Sequence, residues 1–348
     1  MMKMKKLLCI ALAAIMVLAL AACGSTTQPS ENGDPSSAPA SDPAASAEPS
    51  ENAEVEAQYV VGICQQMTHD ALDQATQGFK DALNEILGEG VVKFEEGNAG
   101  GEQNNCTTII DGFVSEGVDL ILANATWPLQ AAASATADIP ILGTSVTDYA
   151  TALNIDNWTG TVGGNISGTS DLAPLDQQAA MIQELFPNAT NVGLLYCSGE
   201  PNSVYQIETI TGYLEEMGYT CTPYAFTDVN DLSSVTQMAC DNSDVIYIPT
   251  DNTAAGNTET IANIVLAAGV PVVAGESGIC SGCGVATLSI SYYDIGYTTG
   301  EMAAQILQGE ADISTMPIQS APNVTKMYNA TNCETLGITI PEGYEAIA

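Results

Sequence analysis

Six short sets of polar residues carry most of the chemical potential of this chain. Three lie in its first half: Gln65-Gln66-Met67-Thr68-His69, Asn124-Ala125-Thr126-Trp127 and Thr144-Ser145-Val146-Thr147-Asp148. Three lie in its second half: Ser198 to Ser203, Thr250-Asp251-Asn252 and Gly275-Glu276-Ser277. Each follows a short apolar run and leads into an amphipathic one. Such hydroxyls and amides cap helices. A helix N-terminus also presents free N–H groups and a partial positive charge, which attract an anion. Several such turns around one cleft can hold a carboxylate, while an Asp or Glu among them holds an ammonium group. Capping suffices to explain any one of these residues. Their recurrence at nearly every strand end points instead to a shared binding site.

Catalysis is a thinner reading. The chain has a single histidine, His69, followed by Asp70 at a helix start, which suits a cleft wall or a cap better than a general base. There is no G-x-S-x-G elbow, no G-x-x-x-x-G-K-[ST] and no G-x-G-x-x-G. Close pairs among 42 acidic residues leave a carboxylate-pair hydrolase as an alternative. Cys280-Ser281-Gly282-Cys283 is a C-x-x-C without a thioredoxin-like context and without the second pair a zinc site needs, so a local disulfide or free thiols are expected. The expectation is a binding protein, not an enzyme, with no cofactor and no metal.

The elements that must position these turns are legible in the hydropathy pattern. Continuous apolar runs, including Tyr59–Cys64, Val118–Ala123, Val192–Tyr196 and Asp244–Pro249, read as strands covered on both faces. Helical stripes such as Leu72, Ala75, Phe79, Leu83 and Ile86 alternate with them and read as core packing. Strand–helix alternation implies an α/β fold with parallel sheets and right-handed crossovers. The alternation breaks once, over Tyr149 to Asp171, which is rich in Gly, Asn and Thr, and restarts after Pro174. The chain is therefore read as two similar lobes with a cleft between them, where open α/β sheets bind ligands.

Charge narrows the ligand. The formal net charge is −36, there is no Arg, and beyond Lys3, Lys5 and Lys6 the only basic side chains besides His69 are Lys80, Lys93 and Lys326. Such a surface repels phosphate backbones, which excludes nucleic acid. Without Arg there is no bidentate clamp for a carboxylate. At the N-terminus a basic stretch, the apolar run Leu7–Leu20 and Leu20-Ala21-Ala22-Cys23 resemble a secretory signal ending in a bacterial lipobox. That resemblance implies a signal peptide over 1–22, cleavage before Cys23 and lipidation of its thiol. Residues 23–57, rich in Ala, Ser and Pro and free of aromatics, are expected to tether the folded part to the membrane. The location is then extracytoplasmic, where disulfides are permitted.

From about Tyr59 to Tyr344 the chain resembles the substrate-binding lipoproteins of ABC importers, in particular the tryptophan/tyrosine-binding subgroup. The residues that carry the likeness are Gly168-Thr169-Ser170-Asp171-Leu172, Val192-Gly193-Leu194-Leu195-Tyr196 with Glu200-Pro201-Asn202-Ser203, Ile246 to Thr253, Tyr292 to Gly296 and Leu336 to Pro341. The departures are Tyr149, Ser277 and the Cys280/Cys283 pair. The resemblance implies a type I periplasmic-binding fold of two Rossmann-like lobes joined by three crossings. The expected lobes are 58–166 plus 291–318 and 167–290 plus 319–348. It also implies a monomer that captures a small zwitterion by hinge closure and delivers it to a membrane permease. Within that frame Ser145, Thr147, Asn202, Ser203 and Thr250 are expected on the carboxylate or neighbouring polar atoms. Asp171, Asp251 and Glu276 are the candidates for the ammonium group. Trp127, Tyr149 and Tyr292 are candidates to stack on an aromatic side chain. Gln66, Thr68, Thr126, Ser170, Glu200 and Asn252 complete the expected cleft wall. A nucleoside or sugar ligand on the same fold, and a sensory or adhesive role without an importer, are the alternatives.

Overall fold

A computed structural model describes residues 57–321 and 323–347; the expected signal peptide, Cys23 and nearly all of the expected tether lie outside the described residues. In chain order the elements of the first half are β1 (Tyr59–Gln65), α1 (Asp70–Leu87), β2 (Val92–Asn98), α2 (Gln103–Glu116), β3 (Leu120–Asn124), α3 (Thr126–Ala135), β4 (Ile141–Val146), α4 (Tyr149–Leu153) and β5 (Ile166–Ser170). Then follow α5 (Leu175–Leu185), β6 (Asn191–Cys197), α6 (Pro201–Glu216), β7 (Thr220–Phe226), α7 (Val229–Asn242), β8 (Val245–Ile248), α8 (Asn252–Ala255), α9 (Thr258–Ala268), β9 (Val272–Ala274), α10 (Ser277–Gly282) and β10 (Ala286–Ser289). The chain closes with α11 (Tyr292–Leu307), β11 (Gln319–Ser320), β12 (Thr325–Tyr328), α12 (Ala330–Leu336) and β13 (Glu345–Ala346).

Two sheets result. The first has the order β11-β5-β4-β3-β1-β2 and is parallel throughout. The second has the order β13-β12-β10-β9-β8-β6-β7, parallel except where β12 runs against β10. The central strands β3, β4 and β8 are buried along their whole length, which is why β8 and the first residues of β3 and β4 read as apolar runs. The segment 149–171, expected to lack a helix, holds the five-residue α4 and the strand β5. The first crossing between lobes was expected after residue 166. Hydrogen bonding carries Ser167 to Ser170 on in the first sheet, and Gln319 and Ser320 pair with β5 rather than with the second sheet. The crossings therefore fall after Ser170, after Ile290 and after Ser320.

Helix α11 returns from the second sheet to lie along α1. Their contact is backbone to backbone. A Cβ added at Gly296 would collide with the Ala75 carbonyl oxygen, and one at Gly300 would lie 2.6 Å from the Phe79 carbonyl oxygen. Neither neighbour is a flexible side chain that can turn away. Gly296→Ala is therefore expected to lower stability by about 1–3 kcal/mol, the ordinary cost of overpacking. A urea unfolding midpoint unchanged from the parent chain contradicts this.

Candidate ligand-binding cleft

All six polar turns sit at the carboxyl ends of their parallel strands, and the turns after β1 and β8 meet across the gap between the sheets. His69, at the N-cap position of α1, makes no capping bond with its side chain. Its Nε2 lies 3.2 Å from Asn252 Oδ1 on the second lobe. Burial holds the imidazole below its usual pKa, and a contact with an amide oxygen is served by the tautomer that carries the proton on Nε2. Its buried Nδ1 has no partner. Beside it, the Met67 side chain sits over Gly256, where a Cβ would strike the Met67 methyl group. Thr68, also expected in the wall, is exposed at the rim and accepts from Asn98 Nδ2 at 3.0 Å.

Four carboxylates are almost fully buried at the strand ends: Asp171 (3% exposed), Glu200 (0%), Asp251 (1%) and Glu276 (2%). Burying a charge without compensation is costly, so the partners of each decide what it is for. Glu200 accepts four bonds of 2.7–3.0 Å from the N–H and side chains of Asn252 and Thr253. It clamps the turn that opens α8. Asp251 accepts from the N–H groups of Cys197 at 2.6 Å and Ala254 at 2.8 Å. Glu276 caps α10 through the N–H groups of Gly278 and Ile279. Each of these three has both oxygens engaged within its own lobe, so an ammonium group at Asp251 or Glu276 would share an oxygen that already accepts a backbone N–H.

Asp171 differs. One oxygen accepts from the Tyr292 hydroxyl at 2.9 Å, while Oδ1 is buried with no partner. Burial raises its pKa; the hydroxyls of Thr147 and Tyr292 and its own backbone pull it back down. Among the described residues no Lys lies in the cleft: Lys80, Lys93 and Lys326 are paired with Glu96, Glu95 and Glu184.

Other unpartnered buried atoms share these turns: Gln66 Nε2, Ser145 Oγ and Asn202 Oδ1. Gln66 accepts the first-turn N–H of Trp127 at 3.4 Å, which leaves its amide nitrogen to donate elsewhere. Ser145 stands in a bulge of β4 with φ of 55°, a left-handed conformation that costs a non-glycine residue of order 1 kcal/mol or more. Ala125, leading into α3, has φ of 102°. Strained backbone at two adjacent strand ends is characteristic of a binding site. Asn202 donates to the Thr250 carbonyl at 3.0 Å, and Gln206 grips the N–H and carbonyl of Thr250 at 3.1 Å each. Gln206 is a positioning residue absent from the expected set; lying one turn beyond Asn202 on the same face of α6, it is the residue the helical period points to. Ser203 and Thr126 are buried in the first turns of α6 and α3, and Thr147 is buried after β4. Ser170 is a turn staple: its Oγ donates to the Thr147 carbonyl at 2.8 Å and accepts from Leu172 N–H at 3.2 Å.

Of the three aromatic candidates, two spend their hydroxyls on protein partners and the third borders a groove on the first lobe. Trp127 lines a groove of about 380 Å³ formed wholly by α2 and α3 of the first lobe. Tyr149 is buried in the first-lobe core and donates to the Thr169 carbonyl at 3.0 Å. Tyr292 spends its hydroxyl on Asp171 and packs its ring among Ala71, Ala75, Ala173, Ile290 and Ile295. The eight cysteines among the described residues are free thiols, Cys280 and Cys283 included.

Among known proteins, the ABC transporter substrate binding protein family matches residues 60–348. The chain belongs to that family. It is 30% identical over 278 residues to a tyrosine-binding protein of Clostridioides difficile, covering 79% of this chain and 80% of that one. A solved domain from Streptococcus pneumonia in complex with L-Trp is 31% identical with a TM-score of 0.79, covering 84% of this chain and all of that one. A ligand-free, open substrate-binding protein with adhesive properties from Clostridium difficile, also 31% identical, gives a TM-score of 0.64 over 83% of this chain and 99% of that one. The architecture is the type I periplasmic-binding fold. Substrate-binding proteins of ABC transporters are extracytoplasmic, bind small molecules for a membrane permease and are not enzymes.

Proposed function

We propose that this protein captures an aromatic amino acid outside the cytoplasm and presents it to an importer, held at the membrane by lipid on Cys23. The observation that carries the reading is Asp171 Oδ1, a buried anionic acceptor without a donor, in a cleft that holds no Lys among the described residues and in a chain without Arg. An α-ammonium group supplies the missing donor. Ser145 Oγ and Gln66 Nε2 supply neutral donors for the α-carboxylate, and Asn202 Oδ1 a second acceptor. The tyrosine-binding and L-Trp-bound relatives support the aromatic side chain. The higher TM-score to the L-Trp complex than to the open structure, at equal identity, supports reading the His69–Asn252 contact as part of the closed, ligand-holding form.

Calorimetric titration of the full chain with L-tryptophan, L-tyrosine and L-phenylalanine is expected to give saturable heat with at least one. No heat with any of the three overturns the assignment. The anchor is tested separately: Cys23→Ala is expected to move the protein from the membrane fraction to the soluble extracytoplasmic fraction, and retention in the membrane refutes lipidation there.

A further inference from the structure

We propose that Tyr292 is the positioning residue of the ammonium site, turning Asp171 Oδ1 toward the ligand. The proposal rests on the reading of Asp171 given above.

The two residues occupy two of the three chain crossings. Asp171 is the first residue after β5, and Tyr292 opens α11, two residues after Ile290 leaves the second sheet. The Tyr292 ring is held by side chains of α1 and of the crossings themselves. A ring embedded there fixes the phenol oxygen, which is 2.9 Å from Asp171 Oδ2. A phenol has one proton to give, and Tyr292 gives it to Asp171. With Oδ2 so occupied, Oδ1 is the oxygen left for the guest.

The charge around Asp171 makes this donor matter. The titratable groups that face it are Tyr292, Tyr149 and Glu276, and Glu276 in turn feels Asp70. None is a cation. Among the groups that favour the ionised form of Asp171, the Tyr292 hydroxyl is the one hydrogen-bonded to the carboxylate, at 2.9 Å. Removing one charge-assisted bond shifts it toward the protonated form, which has less to offer an ammonium group.

The test is calorimetry on the full chain with L-tryptophan as probe between pH 4.5 and 7, and with indole-3-propionate, which lacks the ammonium group. If the parent binds L-tyrosine or L-phenylalanine instead, that amino acid and its deaminated analogue take their place. Tyr292→Phe is expected to weaken amino-acid binding about 10- to 100-fold, the range for a hydrogen bond to a charged group. It is also expected to raise the pH at which affinity is half lost, and to leave the weak binding of the deaminated analogue unchanged. Replacing Tyr292 by 3,5-difluorotyrosine keeps the ring and strengthens the donor. It is expected to lower that pH, and it carries the test if the Phe variant does not fold. Equal weakening of both ligands with no movement of the pH midpoint, or a difluorotyrosine midpoint that stays put, overturns the proposal. If Asp171→Asn abolishes binding while Tyr292→Phe changes nothing, the positioning role fails and the ammonium reading stands. If Asp171→Asn binds normally, the ammonium reading itself fails.

Discussion

Asp171→Asn is expected to weaken capture of an aromatic amino acid by two to three orders of magnitude while the chain stays folded. The substitution is nearly isosteric and keeps an acceptor for the Tyr292 hydroxyl, so the hinge contact at 2.9 Å has no reason to open. What disappears is the charge opposite the ammonium group. Losing one partner of a buried, hydrogen-bonded charge pair costs about 2–5 kcal/mol, and about 1.4 kcal/mol is tenfold in Kd. The contrast with Glu200 sharpens the test. Glu200 is as buried, but its oxygens are filled by Asn252 and Thr253. Glu200→Gln places an amide NH2 against those donors and is expected to lower the unfolding midpoint of the ligand-free protein. Asp171→Asn is expected to leave that midpoint within a few degrees of the parent. An Asp171→Asn protein that binds within threefold of the parent refutes the assignment.

The contrast also marks where the sequence stops being informative. The strands and most helices were legible because a buried parallel strand is an unbroken apolar run and its covering helix an amphipathic stripe. The segment 149–171 was opaque for the opposite reason: β5 reads Ile-Ser-Gly-Thr-Ser, with one apolar side chain in five. It is a strand because β4 and β11 supply its partners, not because its residues favour one. The same limit applies to the site. Turn composition located the polar residues at the strand ends. It could not tell Asp171 from Asp251 or Glu276, because all three are acids beside a helix start. Only the hydrogen bonds aimed at each carboxylate distinguish the three: Asp251 and Glu276 accept backbone N–H groups, and Asp171 accepts a phenol. For the aromatics the limit is the same: Trp127 stands in a strand-end turn and borders a groove between α2 and α3, and a one-dimensional pattern carries position but not side-chain direction.

Stability and binding are expected to respond to acid in opposite senses. Burial raises the pKa of Asp251 to about 7, with help from the Glu200 charge, and that of Glu276 to about 7. Asp171 is raised in the same direction. A carboxyl whose pKa is higher folded than unfolded binds more protons in the native state between the two values. The slope of unfolding free energy with pH is then negative in that window. Below the unfolded values, near pH 4, the native state has the full benefit, which is lost as pH rises to about 7. At about 1.4 kcal/mol per pKa unit, the ligand-free protein is expected to be more stable by a few kcal/mol at pH 5 than at pH 8. Relief of self-repulsion among the acids behind the net charge of −36 acts in the same direction. Glu276→Gln removes one contributor and is expected to flatten the curve. Ligand affinity runs the other way, because protonating Asp171 removes the charge that holds the ammonium group. Denaturant midpoints across pH 4.5 to 8, with and without the amino acid, separate the two effects. The gap between liganded and free curves should narrow toward acid while the free curve climbs. A free protein whose stability falls steadily from pH 7 to pH 5 contradicts the raised carboxyls, and a gap that holds constant across the range contradicts Asp171 as the ionised partner.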